Sequence, residues 1–146
     1  MSASSIEIVF VTDRTPAEAY AVILDPRRWW DGEFDGPTDV LGGEFSYVVP
    51  DLHRSVQRVT ELVPGERVVW RVVDAHLTFL ADPAEWTGTD IVFDLVPTPD
   101  GTEVRFVHRG ITPEVECYDR CAPAWRHFVG ARLRGVLEED AVRRSA

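Results

Sequence analysis

The strongest constraint on the fold is that only one helical segment of this chain is long enough to cover a β-sheet. From Cys117 to Asp140 the apolar residues recur at helical spacing and fall on one broad stripe made of Cys117, Tyr118, Cys121, Trp125, Phe128, Val129, Leu133 and Val136. Such a helix needs an apolar surface to lie on. Pro123 cannot donate an intrahelical hydrogen bond, so we predict that the helix either begins near Ala122 or kinks at Pro123.

The surface for that helix is predicted between Glu33 and Arg109, where the apolar period changes to two. Alternation of this kind is typical of antiparallel strands with one apolar face. The phase slips between Val56 and Val59, which predicts a β-bulge. The residues predicted to face inward include Phe45, Tyr47, Val49, Val68, Trp70, Val72, Ile91, Phe93, Leu95, Val104, Phe106 and His108.

Shorter elements precede this region. Residues Ile6 to Val11 alternate as a strand, and Thr15-Pro16-Ala17-Glu18 has the residues of a capping box with proline at the first helical position. A short helix is predicted to run to about Leu24, followed by another turn of helix from Pro26 to Trp30. The element order predicts an α+β fold in which a curved antiparallel sheet wraps around the C-terminal helix, with two short helices after the first strand.

The length of 146 residues predicts a single domain, residues 1–146, in which 1–5 and 141–146 are frayed tails. With 25 acidic and 15 basic residues the net charge is −10, which disfavours nucleic acid and anionic membranes as partners. No apolar run is long enough to span a bilayer, and no leader precedes the first strand, so we expect a cytoplasmic protein. All the basic residues are Arg, and Lys and Asn are absent, which suggests a GC-rich bacterial genome.

A curved sheet that closes on a helix often leaves space between them, so we predict an internal, largely apolar pocket. Its wall is predicted to consist of Phe45, Tyr47, Trp70, Ile91, Phe93, Phe106, His108 and Trp125. Tyr47, Trp70 and His108 would orient a bound molecule. For Trp29 and Trp30 we predict that one seals the core and that the other lies at the surface.

Several segments resemble a known family. They are Gly42-Gly43-Glu44-Phe45-x-Tyr47, the run from Val59 to Trp70, Glu85-Trp86-Thr87-Gly88-Thr89-x-Ile91-x-Phe93, and Phe106-x-His108-x-Gly110-Ile111-x-Pro113 followed by Cys117, Cys121 and Trp125. The chain is similar to bacterial SRPBCC (START-like) proteins, and within them to homologues of the C-terminal domain of the heat-shock-protein-90 ATPase activator. The resemblance extends over about residues 6–140 and implies the helix-grip, birch-pollen-allergen-like fold. It does not imply an activity, because the superfamily includes carriers, receptors, cyclases and chaperone partners.

The candidate binding residues each have a structural alternative. His108 is either a ligand-orienting group or a buried neutral imidazole, and Trp86 either contacts a ligand or packs at the rim. Glu85 either caps backbone N–H groups or lies inside the mouth of the pocket. Two cysteines are too few and too close for a disulfide framework, so reduced thiols are the default and Cys121 is a small apolar wall residue. The full set of predicted ligand-binding residues is Phe45, Tyr47, Trp70, Glu85, Trp86, Phe93, Phe106, His108, Cys121 and Trp125.

Metal sites were also considered. Cys117 and Cys121 with His108 would form an incomplete zinc site, and His53, His76 and His108 could be drawn as a three-imidazole site. We expect neither a metal nor a cofactor. No nucleophile with a basic activator is evident, and no catalytic residue is predicted.

Three functions follow in order of preference. The first is the binding of a small hydrophobic or aromatic molecule, such as a lipid or polyketide, without catalysis. The second is a chaperone-associated interaction or stress-response module. The third is a polyketide cyclase or lyase in which His108 or Glu85 moves a proton. A homodimer is also considered, formed through strand ends or through the outer face that carries Val69 and Val73.

Overall fold

The computed structural model describes residues 5–145, with side chains to residue 139. Seven antiparallel strands form one sheet in the order β1-β7-β6-β5-β4-β3-β2. The first strand therefore pairs with the last, and short β2 lies at the opposite edge. The strands are β1 Ile6–Thr12, β2 Glu33–Asp35, β3 Glu44–Val49, β4 His53–Val63, β5 Arg67–Leu77, β6 Asp90–Thr98 and β7 Gly101–Arg109.

The predicted α+β helix-grip fold is confirmed by this sheet and the helix that follows it. The chain also has the two short helices expected after β1, namely α1 at Pro16–Ile23 and a 3₁₀ turn at Pro26–Arg28. In α1 the Thr15 hydroxyl accepts a hydrogen bond from the Glu18 N–H, and the Glu18 carboxylate accepts one from the Thr15 N–H. The capping box read from the sequence is therefore present.

Of the two alternatives at Pro123, the start near Ala122 was wrong, because the C-terminal helix begins at Tyr118. It consists of α2 Tyr118–Trp125, a π-helical segment Arg126–Leu133 and α3 Arg134–Ser145. Pro123 lies inside α2 rather than at its start, and the winding changes from α to π at Arg126. Of the predicted tails, residues 1–4 and 146 lie outside the described residues; Ser5 accepts a hydrogen bond from the Gly110 N–H, and the helix continues to Ser145.

The π-helical winding explains which face of this helix is buried. One row of buried residues recurs at every fourth position: Cys121, Trp125, Val129, Leu133 and Leu137. Around an α-helix each four-residue step drifts by about 40°. The π-helical segment has more residues per turn, which reduces the drift and keeps the residues on one face. Leu137 is therefore buried in place of the predicted Val136, which is only partly buried.

The predicted irregularity in β4 is confirmed, because its pairing with β5 shifts register between Val56 and Gln57 and again between Val59 and Glu61. Bulges of this kind bend a strand and increase its twist, which helps the long β4–β5 pair curve around the helix. On the outer face of β5, Val69 is 6% exposed and Val73 is partly buried. Two exposed valines, Val9 and Val11, lie on edge strand β1, and a third, Val40, lies between β2 and β3.

The expectation that only one of two adjacent tryptophans is buried was wrong. Trp29 and Trp30 are 0% and 3% exposed. The Trp29 ring lies parallel to that of Trp70, with centroids 6.5 Å apart, and meets Phe93 edge-on at 5.7 Å. The 3₁₀ turn thus places Trp29 over the centre of the concave face. No helix in the described part of the chain has the length and apolar character required to span a membrane.

Candidate functional site

The cavity lies towards one end of the sheet. It has a volume of about 260 Å³ and opens between the His53 end of β4, the loop after β5, and α2. Two of its lining residues, Asp31 and Arg120, are charged, and both are exposed at the mouth. The other lining residues are Trp30, Tyr47, Val49, Leu52, His53, Leu77, Phe79, Trp86, Cys121, Ala124, Trp125 and Phe128.

Only part of the predicted wall borders this space. Tyr47 and Trp125 do so, and the predicted binding residues Trp86 and Cys121 join them. Trp29 fills the centre of the concave face, where the wall had been expected. As a result, the remaining predicted wall residues are packed in the core rather than lining the cavity: Phe45, Trp70, Ile91, Phe93, Phe106 and His108.

His108 is fully buried, and both of its ring nitrogens are hydrogen-bonded. The Trp125 indole N–H donates to Nδ1 over 3.0 Å, so Nδ1 is an acceptor and carries no proton. The other nitrogen, Nε2, lies 2.9 Å from Thr89 Oγ1, whose own proton goes to the Trp86 carbonyl oxygen at 2.6 Å. Nε2–H is therefore the donor to Thr89. Burial, together with the charge of His53, lowers the pKa of His108 to about 3. This geometry matches the buried neutral imidazole of the sequence analysis.

Trp86 lines the cavity and contacts the C-terminal helix. It is 5% exposed, and its indole N–H points at the sulfurs of Cys117 and Cys121, at 3.0 and 3.3 Å. The expectation of reduced thiols was wrong, because the structure joins these two cysteines in a disulfide with Cα atoms 5.5 Å apart. Cys117 immediately precedes α2 and Cys121 lies one helical turn further on, which gives a Cα separation within the normal range of a disulfide.

Of the two alternatives for Glu85, the structure has the capping one. Its Oε1 accepts a hydrogen bond of 3.0 Å from the N–H of Cys117, the residue before α2, and Glu85 does not line the cavity. A carboxylate at this end of a helix is also favoured by the helix dipole. Glu85 therefore fixes the loop after β5 to the start of the C-terminal helix, and in doing so positions neighbouring Trp86.

His53 is a polar cavity residue that is absent from the predicted binding set. It begins β4, lines the cavity and meets the rings of Tyr47 and Trp86 edge-on at 4.9 and 4.6 Å. Its Nε2 lies 2.8 Å from Ser55 Oγ, and burial lowers its pKa to about 4. The sequence pattern that could have predicted it is the alternation that leads to Val59. It places His53, Ser55 and Gln57 in a polar row on the inner face of β4.

Tyr47 supplies a second polar group to the cavity wall. Burial raises its pKa, nearby Asp31 raises it further, and a hydrogen bond with the Trp30 side chain acts in the opposite direction. The phenol is therefore neutral at physiological pH. At the mouth, the Arg120 guanidinium lies 5.2 Å from the centre of the Phe79 ring, which is cation–π distance. The interior is thus uncharged and aromatic, with its charges at the entrance.

Neither metal arrangement is assembled. Among the described residues, no three or more His, Cys, Asp or Glu side chains are grouped so as to hold a metal ion. Both nitrogens of His108 already have protein partners, and the two sulfurs are bonded to each other.

Comparison with known proteins identifies relatives over most of the chain. The model of the family described as Activator of Hsp90 ATPase homolog 1-like protein matches residues 13–138. None of the curated protein sequences matches.

Solved structures share the fold at low sequence identity. The Aha1 dimer from Colwellia psychrerythraea is 21% identical with a TM-score of 0.68, over 87% of this chain and 98% of that one. Protein MLL2253 from Mesorhizobium loti is 19% identical with a TM-score of 0.75, over 92% and 97%. DynU16, a protein in the dynemicin biosynthetic locus, is 16% identical with a TM-score of 0.67, over 94% of this chain and 48% of that one.

Proposed function

Because the chain belongs to the Activator of Hsp90 ATPase homolog 1-like family, we propose that it is a single cytoplasmic START-like domain that binds a small hydrophobic or aromatic molecule without catalysis. The observation that carries this proposal is the aromatic cavity under α2. Six of its lining residues are Trp, Tyr or Phe, and its two charged residues are at the mouth. Ligand sites have this profile of apolar walls with a few placed polar groups.

The size of the cavity limits what it can hold. Its volume of about 260 Å³ lies just below the ~300 Å³ at which typical ligand pockets begin. A molecule of two or three rings fits that space better than a long-chain lipid. Indole and phenol rings form offset-stacked or edge-on contacts with other aromatic rings, so a flat ligand would gain both from burial and from ring packing.

The side chains argue against catalysis in this cavity. His108 was the first candidate to move a proton, and both of its nitrogens are engaged in the core. Glu85 is held by the Cys117 N–H and does not line the cavity. General acid–base catalysis requires a group that reaches the substrate and titrates near the working pH, and His53, with a pKa of about 4, does not meet the second requirement.

The direct test is native mass spectrometry of the purified protein before and after solvent extraction, followed by thermal-shift screening with aromatic compounds. Ala124 lines the cavity and is exposed at its mouth, so Ala124→Trp should fill the entrance and abolish the shifts. Ala131→Trp places the same side chain at an exposed position outside the cavity and is the matched control. Thermal shifts of the same size in Ala124→Trp as in the wild type would contradict binding at this site.

A second candidate function is a chaperone-associated interaction. The family description and the likeness to an Aha1 dimer favour it, and the acidic chain could meet a basic surface on its partner. The test is the ATPase rate of a purified heat-shock-protein-90 chaperone with and without this protein. Failure to bind or stimulate at micromolar concentration would reject this function. Sedimentation of the protein alone would test the homodimer.

A third candidate is a cyclase or lyase on a polyketide-like substrate. DynU16 belongs to a biosynthetic locus and shares the fold, which is the observation that favours it. Genes for biosynthetic enzymes next to the gene for this protein would support an enzymatic role, and failure of the purified protein to convert a polyketide-like substrate would reject it.

A further inference from the structure

A row of polar side chains runs along the inner face of β4 from the cavity into the core. The row consists of His53, Ser55 and Gln57, and the last two are 1% and 0% exposed. The Gln57 amide N–H donates to Ser55 Oγ, and Ser55 Oγ lies 2.8 Å from His53 Nε2. The Gln57 Oε1 atom is buried without a hydrogen-bond partner. An unpartnered polar atom in a core is costly, so this row is not explained by stability alone.

The hydrogen bonds allow the imidazole proton of His53 to lie on Nδ1. Ser55 Oγ accepts the Gln57 N–H, so the Ser55 hydroxyl is free to donate its own proton to His53 Nε2. A neutral imidazole with an acceptor at Nε2 carries its proton on Nδ1. His53 is neutral at physiological pH because burial lowers its pKa.

The Nδ1–H group has no protein partner among the described residues. It is also absent from the buried unsatisfied atoms of this part of the chain, so it keeps contact with open space. The His53 residue lines the cavity. Edge-on contacts with Tyr47 and Trp86 hold the ring on either side. The donor is therefore held in position before any ligand enters.

We propose that His53 Nδ1–H donates a hydrogen bond to an acceptor oxygen of the ligand, so that the cavity selects a flat, uncharged aromatic molecule with a buried carbonyl over the same rings without it. This inference rests on the proposed ligand-binding function. A hydroxyl group that donates its proton would find no acceptor at Nδ1. A charged oxygen would lose its hydration in the uncharged aromatic interior. The Arg120 cation would not offset this cost, because it is exposed at the mouth.

The test compares 9-fluorenone with fluorene, which have the same three-ring frame and differ in a carbonyl against a methylene. Dissociation constants for both would be measured by quenching of tryptophan fluorescence and by calorimetry. The variant is His53→Phe, which keeps a flat ring and removes the donor. The matched control is His76→Phe, at an exposed position on β5 outside the cavity.

The readout is the ratio of the fluorene to the fluorenone dissociation constant, because comparing this ratio between proteins cancels the different hydration of the two probes. We expect the ratio to fall about tenfold in His53→Phe, as for the loss of one hydrogen bond, and to stay unchanged in His76→Phe. In Ser55→Ala the hydroxyl that donates to Nε2 is lost, so the His53 proton is no longer held on Nδ1 and the ratio should fall by less than in His53→Phe. This variant provides a second measurement if His53→Phe does not fold.

The outcomes separate this inference from the function it rests on. If both probes bind the wild type, and neither His53→Phe nor Ser55→Ala changes the ratio from its wild-type value, the role of His53 is overturned while ligand binding stands. If neither probe binds the wild type at its solubility limit, the proposed binding of small aromatic molecules fails, and the inference fails with it.

Discussion

The substitution His108→Phe tests whether the imidazole of His108 is a structural group. Phenylalanine is similar in volume, so the change removes two hydrogen bonds without opening a large cavity. The Trp125 N–H would become an unsatisfied donor in the core, at a site where both residues are at most 2% exposed. Thr89 would lose the donor from Nε2 but would keep its own bond to the Trp86 carbonyl oxygen.

The expected cost follows from these two losses. An orphaned buried donor costs ~1–3 kcal/mol, and a lost neutral hydrogen bond about 1 kcal/mol. We therefore expect the free energy of unfolding to fall by about 2–4 kcal/mol, a large part of the ~5–15 kcal/mol typical of a domain. For a chain of this length the melting temperature should fall by roughly 2–4 °C per kcal/mol.

The assay is urea unfolding followed by tryptophan fluorescence, in which the midpoint should fall and the m-value should stay unchanged. A double-mutant cycle with Trp125→Phe isolates the bond, because the second change removes the donor that the first leaves unpaired. The two changes together should cost less than the sum of each alone. A loss below about 1 kcal/mol in His108→Phe, or strictly additive costs, would refute the structural role.

Three further predictions concern other parts of the molecule. Burial lowers the pKa of His53 to about 4 and of His108 to about 3, so the unfolded chain binds more protons below about pH 6.5. Stability should fall as pH is lowered from about 6.5 towards 4, and His53→Phe should show a shallower fall in urea unfolding across that range. Thr15→Ala removes the capping box and should cost about 1 kcal/mol in the same assay, whereas exposed Thr87→Ala should not. Thiol titration of the denatured protein should detect no free thiol before reduction and two after it.

The fold could be predicted because its signals are local. The capping box at Thr15, the period-two segments and the slip near Val56 are patterns within a few residues, and each forms the structure expected of it. The start of the C-terminal helix could not be read in the same way. Pro123 left two alternatives open, a start near Ala122 or a kink. The helix begins at Tyr118 and keeps Pro123 inside α2, although proline cannot donate the intrahelical hydrogen bond expected at that position. The π-helical winding after it depends on keeping Val129 and Leu133 against the sheet.

The site was harder to predict because its position depends on one residue that arrives from elsewhere in the chain. The period-two alternation correctly predicted that Phe45, Trp70, Phe93 and Phe106 face inward. It carries no information about which residues of other elements also occupy the concave side of the sheet. Trp29 follows a short helix and stacks on Trp70. This contact fills the centre and leaves the open volume at the end where Tyr47, Trp86, Cys121 and Trp125 meet.

The two inward-facing histidines show why residue type and direction were insufficient to assign a role. His108 and His53 both face the interior, and burial lowers the pKa of both. They differ in how many ring nitrogens have partners, and those partners come from distant positions. Trp125 and Thr89 occupy both nitrogens of His108, whereas His53 has only Ser55 on Nε2. A fully bonded imidazole can only hold the core together, while one with an unpartnered N–H facing a cavity gains a hydrogen bond when a ligand supplies the acceptor.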